Sequence, residues 1–233
     1  MSHRRLRAII FDFNGVIADD ETTHFLAFQQ ALAEDGLTLT KDKYYGTYLG
    51  MDERACTAAL VQSATGQRDP AREQRIAEKK AALFRSLTVT HKPLLFPGIV
   101  AFVQRAAASY RLAIASGGRR QQIELALQGT PIEKVFVALV SAEDVPSGKP
   151  DPAMYRLALA RINEAAPRLH PMIQPAECLV VEDSLAGIQS ALAAGMTVIG
   201  LATTCPADQL TAAHLVLPGL DGVSFERLEA LFT

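Results

Sequence analysis

This sequence has few cysteines, no excess of basic residues and no long apolar run. Each of these features excludes a class of protein. Three cysteines without metal-ligand spacing exclude a disulfide framework or a zinc site, and they fit a reducing cytoplasm where cysteines pack as small apolar side chains. A formal net charge of -2 excludes the basic surface that nucleic-acid binding requires. No apolar run reaches the length of a membrane span. We therefore expect a cytoplasmic protein without nucleic-acid or membrane partners, as a monomer or weak homodimer.

Short apolar runs alternate with helical patterns over most of the 233 residues. The strand-like runs lie at about 7–12, 111–116, 135–141, 178–182, 197–201 and 214–217, and helical patterns at about 98–109, 119–128, 152–162, 184–194 and 206–212. Such alternation is typical of βαβ units. It predicts an α/β fold with a doubly wound, mostly parallel, Rossmann-like sheet, in which functional loops gather at the carboxyl ends of the strands.

Residues 18–92 break this alternation. They contain helical stretches near 22–35, 52–64 and 71–86 but no buried-strand run. The pattern predicts an inserted α-helical bundle, which could act as a lid, within a core domain formed by residues 1–17 and 93–233. On its last helix, Lys79 and Lys80 are expected to face solvent because charged helix positions are usually solvated.

Two polar groups follow the first strands of the predicted sheet. Asp12 ends the first strand before a glycine-containing turn, where a carboxylate could attack phosphorus or hold a metal, or could simply form the turn. Ser116 and Gly117 end the strand at 111–116, where they could bind a phosphate at a helix N-terminus or only cap that helix.

Two further groups follow later strands. Lys149 precedes Pro150 in a stiff turn, so it is either a fixed positive charge or an ordinary loop lysine. Glu182 and Asp183 are adjacent acids at a strand end, which repel each other unless a cation lies nearby and which suit Mg²⁺. Capping of the next helix explains only one of these two acids. In a doubly wound sheet, all four groups converge on one edge.

With these motifs in this order, the sequence resembles the haloacid dehalogenase superfamily of hydrolases. The match is closest to the branch of β-phosphoglucomutase and phosphoglycolate phosphatase, whose members carry a helical cap between the first and second motifs. The resemblance covers essentially the whole chain. Its four motifs are Asp12 to Val16, Ser116-Gly117, Lys149-Pro150 and Glu182-Asp183.

The resemblance implies a magnesium-dependent phosphatase that acts on a small phosphorylated metabolite, with Asp12 as the nucleophile that forms an aspartyl-phosphate. It implies that Mg²⁺ is bound by Asp12, by Asp183 and by the backbone carbonyl of Asn14, with Glu182 as a further ligand or as an acceptor beside it. The groups that it assigns to the phosphoryl oxygens are Ser116, Gly117 and Lys149.

Asn14 departs from the family pattern. Phosphatases and mutases of the family carry an aspartate at this position as the general acid and base, and an amide cannot replace it. The change disfavours a β-phosphoglucomutase-like mutase, and it leaves open a phosphatase for better leaving groups or a catalytically weak phosphate-binding protein. His24 falls where the branch has a histidine facing the acid, and we expect a polar residue near the hinge there rather than a substitute acid. Arg54, in the cap loop at 50–54, could bind a second anionic group of the substrate.

Overall fold

The computed structural model describes residues 5–49, 51, 53–90, 94–165, 167 and 170–232. In chain order, the strands are β1 Ala8–Phe11, β2 Ala18–Asp19, β3 Leu94–Leu95, β4 Arg111–Ala115, β5 Ala138–Val140, β6 Cys178–Glu182, β7 Thr197–Leu201 and β8 Leu215–Leu217. The α-helices are α1 Glu21–Ala33, α2 Lys41–Lys43, α3 Glu53–Thr65, α4 Pro70–Thr90, α5 Ile99–Ala107, α6 Arg120–Leu127, α7 Ala153–Glu164, α8 Leu185–Ala193 and α9 Phe225–Glu229.

The six longer core strands form one parallel sheet in the order β5-β4-β1-β6-β7-β8. The chain runs from β1 outward through β4 and β5, and then crosses back to continue through β6, β7 and β8 on the other side. The predicted doubly wound α/β fold is confirmed. Because the strand order reverses beside β1, the carboxyl ends of β1, β4 and β6 border the crevice where such sheets bind ligands.

Strand β1 is apolar throughout because both of its faces are buried. Ala8 and Ile10 belong to one hydrophobic cluster, and Ile9 and Phe11 to the cluster on the opposite face. Phe11 packs edge-on against Phe102 of α5, with ring centroids 6.2 Å apart. Side chains that alternate between two apolar layers explain why the sequence reads as a continuous apolar run, as parallel sheets require.

The chain forms two compact units: residues 1–18 with 95–233, and residues 19–94. The second unit is helical and has its own apolar core, which includes Phe28, Leu60 and Ile76. Strands β2 and β3 pair with each other where the chain passes from one unit to the other and back. Within the described part of the chain, no helix is both long and apolar enough to span a membrane.

Two local predictions are wrong. The helix expected at 206–212 is only a single 3₁₀ turn, Ala207–Gln209, because Pro206 precedes it and the chain must reach β8 a few residues later. Lys80 of α4, expected in solvent, is completely buried. The π-helical turn at Tyr44–Tyr48 and helix α9 had no counterpart among the sequence predictions.

Candidate active site

Three carboxylates and one lysine meet at the carboxyl ends of β1 and β6. Asp12, Glu182 and Asp183 are buried, and each offers an oxygen within 4.8 Å of the others. Lys149 comes from the loop between β5 and α7, and its Nζ lies 2.8 Å from Asp12 Oδ1 and 2.6 Å from Glu182 Oε1. The structure thus brings together residues from three of the four predicted strand ends.

Two glycines make room for these acids. Gly15 has a φ of 75°, and a β-carbon there would lie 2.0 Å from Asp183 Oδ2. A β-carbon at Gly187, in the first turn of α8, would lie 1.7 Å from Glu182 Oε1. A side chain at either position would displace a carboxylate, so both glycines are needed for the close approach of these groups.

Glu182 is a saturated hydrogen-bond acceptor. Its Oε1 accepts from Lys149 Nζ and, at 2.8 Å, from the Tyr155 hydroxyl. Its Oε2 accepts at 2.9 Å from the N–H groups of Asp183 and Ser184 and from the Ser184 hydroxyl. Burial alone would raise the pKa of Glu182, but the charge of Lys149 and these donors outweigh it and hold this pKa below its ordinary value. Five donors favour the role of an acceptor that holds Lys149 over that of a metal ligand.

Negative charge exceeds positive charge at the site. Burial raises the pKa of Asp12 to about 6, with Lys149 lowering it and Glu182 raising it further. Burial, together with the charges of Glu182 and Asp12, also raises the pKa of Asp183 well above its ordinary value. Burial would lower the pKa of Lys149, but the two facing carboxylates outweigh it and hold it above its ordinary value. One lysine facing three carboxylates leaves an excess of negative charge. A hard divalent cation, which prefers oxygen ligands, would balance that charge.

The second motif lies at the end of β4, next to β1 in the sheet. Ser116 is fully buried, and its hydroxyl donates to Asn14 Oδ1 at 3.3 Å and accepts from the Gly118 N–H at 3.1 Å. Gly117 lies between them in the turn that leads into α6. Asn14 is therefore held beside the serine of the second motif. The roles of Ser116, Gly117 and Asn14 toward a phosphate stay predictions.

Sequence reasoning missed three side chains at this site. Tyr155 of α7 resembles an ordinary core aromatic residue, but its hydroxyl reaches Glu182. Thr203 donates to the Gly15 carbonyl oxygen at 2.5 Å, and the Thr204 hydroxyl donates to Asp183 Oδ2. Both threonines come just after β7, so a search of every strand end for polar groups would have found them.

The helical unit contains a buried charged cluster around Lys80. Its Nζ lies 2.9 Å from Glu53 Oε2 and 2.8 Å from His24 Nδ1. It also lies 4.8 Å from the ring centroid of Phe28 and 5.0 Å from that of Phe84. An ion pair and two aromatic faces compensate for the lost hydration, which is why this lysine is buried against expectation.

His24 and Arg54 both lie in this helical unit. His24 Nε2 is 3.5 Å from Asp20 Oδ2, and Arg54 is exposed on α3. Gly50 and Asp52 of the predicted cap loop lie outside the described residues. Contacts of His24 or Arg54 with a substrate stay predictions.

A family model for haloacid dehalogenase-like hydrolases matches residues 6–195, which include all four motifs. The chain belongs to the haloacid dehalogenase-like hydrolases. This confirms the resemblance inferred from the motifs and the prediction of an enzyme of the hydrolase class.

Relatives within this family align over most of the chain. Protein CbbY of Rhodobacter capsulatus is 27% identical, and the alignment covers 97% of this chain and 99% of that protein. The phosphorylated carbohydrates phosphatase of Thermotoga maritima is 29% identical over 82% of each chain. The crystal structure of a mutant CbbY from Rhodobacter sphaeroides in complex with xylulose-(1,5)bisphosphate has a TM-score of 0.79 and 25% identity, over 94% of this chain and 96% of that one.

Proposed function

We propose that this hydrolase is a magnesium-dependent phosphatase that acts on a small phosphorylated sugar through an aspartyl-phosphate on Asp12. The observation that carries the proposal is the position of Asp12 beyond β1, beside Asp183 and 2.8 Å from the ammonium group of Lys149. A carboxylate there can act as a nucleophile while the lysine offsets the charge of an incoming phosphate.

The protein groups divide the work of phosphoryl transfer. An Asp12 oxygen forms a bond to phosphorus while the bond from phosphorus to the sugar oxygen breaks, and water later cleaves the acyl-phosphate to release inorganic phosphate. Lys149, Ser116 and the Gly117 N–H bind the equatorial phosphoryl oxygens. Glu182 holds Lys149 in place through the bond at 2.6 Å.

The donor set fits Mg²⁺. Asp12 and Asp183 would bind it through their carboxylates and Asn14 through its backbone carbonyl, all oxygen ligands of the kind that Mg²⁺ prefers. When bound, Mg²⁺ offsets the repulsion between the nucleophile and the phosphate. Its removal with EDTA is expected to abolish phosphate release, and added Mg²⁺ should restore it.

Asn14 sets the limit on turnover. An amide cannot give a proton to the departing sugar oxygen or take one from the attacking water. The sugar oxygen and the water must therefore exchange protons with solvent. General acid and base catalysis contributes about 10² to 10⁴-fold, which is most important for alkoxide leaving groups. A slow second step would let the aspartyl-phosphate accumulate, and this favours a weakly active phosphate-binding protein as the second candidate function. It argues against a mutase, which needs proton transfer to and from sugar hydroxyls.

The sugar phosphate is proposed from the relatives. One of them is a phosphatase of phosphorylated carbohydrates, and a mutant of another binds a pentulose bisphosphate.

We propose that the helical unit is the cap domain of this enzyme, and that Arg54 binds a second anionic group of the substrate. A cytoplasmic setting and a monomer or weak homodimer stay predictions.

The decisive experiment compares the protein with Asn14→Asp on an aryl phosphate and on a hexose phosphate. The variant should gain about 10² to 10⁴-fold on the hexose phosphate and much less on the aryl ester. Acid-quenched intact-mass measurements should detect phosphorylated Asp12 in the natural chain, and Asp12→Ala should remove both turnover and the adduct. An unchanged rate on the hexose phosphate would mean that another group already acts as the acid. Interconversion of hexose phosphates without phosphate release would favour the mutase.

A further inference from the structure

The loop after β7 contacts two sides of the acidic cluster through consecutive threonines. Thr203 Oγ1 donates at 2.5 Å to the carbonyl oxygen of Gly15, in the turn that follows the nucleophile. Thr204 Oγ1 donates to Asp183 Oδ2 and lies 3.2 Å from the Asp183 carbonyl oxygen. Strand β7 is the neighbour of β6, so the sheet itself holds this loop against the acid at the end of β6.

Thr204 also fixes Asp183 by packing. A β-carbon at Gly15 would lie 2.8 Å from Thr204 Cγ2 and 2.0 Å from Asp183 Oδ2. The threonine methyl group and the carboxylate oxygen therefore occupy the space that the missing side chain of Gly15 leaves. Asp183 is confined between the glycine turn and the Thr204 hydroxyl, although the nearby carboxylates of Asp12 and Glu182 repel it.

We propose that Thr204 is a positioning residue for the cation site: its hydroxyl holds Oδ2 of Asp183 and so keeps the other carboxylate oxygen directed to the cation. The inference rests on the proposed magnesium site. Groups that orient a metal ligand without touching the metal typically contribute about 10 to 100-fold to metal affinity. A hydroxyl that donates to a carboxylate ligand inside a buried, acid-rich site is such a group.

Three substitutions separate the hydroxyl from the packing. Thr204→Val removes the hydroxyl and keeps the shape, Thr204→Ala removes the hydroxyl and the methyl group, and Thr204→Ser keeps the hydroxyl. Thr130→Val is a matched control, because Thr130 Oγ1 donates to the Leu127 carbonyl oxygen, at 2.7 Å, near the end of α6. Urea unfolding identifies the variants that fold, and the alanine variant replaces the valine variant if the latter does not.

The main readout is binding of Mn²⁺ to the full chain without substrate, followed by electron paramagnetic resonance. Thr204→Val and Thr204→Ala should bind Mn²⁺ about 10 to 100-fold more weakly, whereas Thr204→Ser and Thr130→Val should bind like the natural chain. The Mg²⁺ concentration for half-maximal hydrolysis of an aryl phosphate should rise in parallel, and saturating Mg²⁺ should restore the rate.

Unchanged Mn²⁺ binding by Thr204→Val would overturn the inference, and so would binding by Thr204→Ser as weak as that of Thr204→Val, since packing alone would then explain the effect. Failure of the natural chain to bind Mn²⁺ would instead refute the proposed cation site itself. The two failures are therefore distinguishable.

Discussion

Removal of the Tyr155 hydroxyl tests how strongly the buried carboxylate of Glu182 depends on its donors. Tyr155→Phe keeps the aromatic ring, which lies 5.2 Å from Lys149 Nζ, and keeps its packing in a fully buried position. It deletes one donor, at 2.8 Å, from a carboxylate that no solvent reaches. Hydrogen bonds to charged groups contribute about 1.5 to 3 kcal/mol, so we expect the free energy of unfolding to fall by about that amount.

Tyr110→Phe provides the matched control for this prediction. Its hydroxyl donates to Glu229 Oε1 at 2.6 Å in an exposed pair, so water can replace it and the loss should be about 0.5 kcal/mol. Both tyrosines lie in the same unit of the chain, and urea unfolding with an unchanged m-value compares them directly. Equal losses in the two variants would refute the reasoning, because burial of the acceptor would then add nothing.

Three other substitutions test particular contacts by urea unfolding. Gly187→Ala should cost about 1 to 3 kcal/mol, because the new methyl group meets a buried carboxylate, whereas Gly46→Ala should cost little, since nothing lies within 4 Å of its added carbon. Lys80→Met should cost about 3 to 5 kcal/mol, because it removes the buried cation that pairs with the carboxylate of Glu53, a side chain only 10% exposed, and the added change Glu53→Gln should recover part of it. For Asp144, burial opposes ionisation, but hydrogen bonds from arginine and serine neighbours outweigh it and hold the pKa below its ordinary value. Asp144→Asn should therefore cost about 2 kcal/mol at neutral pH, and the difference should shrink as pH falls below the ordinary carboxyl pKa; a difference that grew in acid would contradict this.

The sheet was predictable because its strands are buried on both faces. Strand β7 matches the predicted limits, 197–201, and β1 and β4 differ from them only at their ends, since an apolar run bounded by polar residues marks such a strand directly. The meeting of Asp12, Lys149 and Asp183 was predictable for a related reason, because parallel strands bring their carboxyl ends to one edge.

What could not be predicted depends on partners far away in the sequence. Lys80 reads as a solvated helix residue, and its burial becomes favourable only through contacts with other helices, such as its ion pair with Glu53. The Thr204 hydroxyl reaches Asp183 only because β7 adjoins β6. Glu182 was open to two roles because two of its five donors come from side chains 33 and 27 positions away in the sequence. Periodicity reports burial along one element but not the identity of the group on the facing element.

The pairing of β2 with β3 has a consequence for the architecture of the chain. The backbone leaves the core at Ala18 and returns at Leu95, and the Phe96 N–H donates to the Ile17 carbonyl oxygen at 3.0 Å. The two ends of the helical insertion are therefore as close as the ends of a hairpin. In topological terms, residues 19–94 are an insertion within a single connection of the core. A short turn, or a domain of another length, could replace them without changing the order of the strands in the sheet.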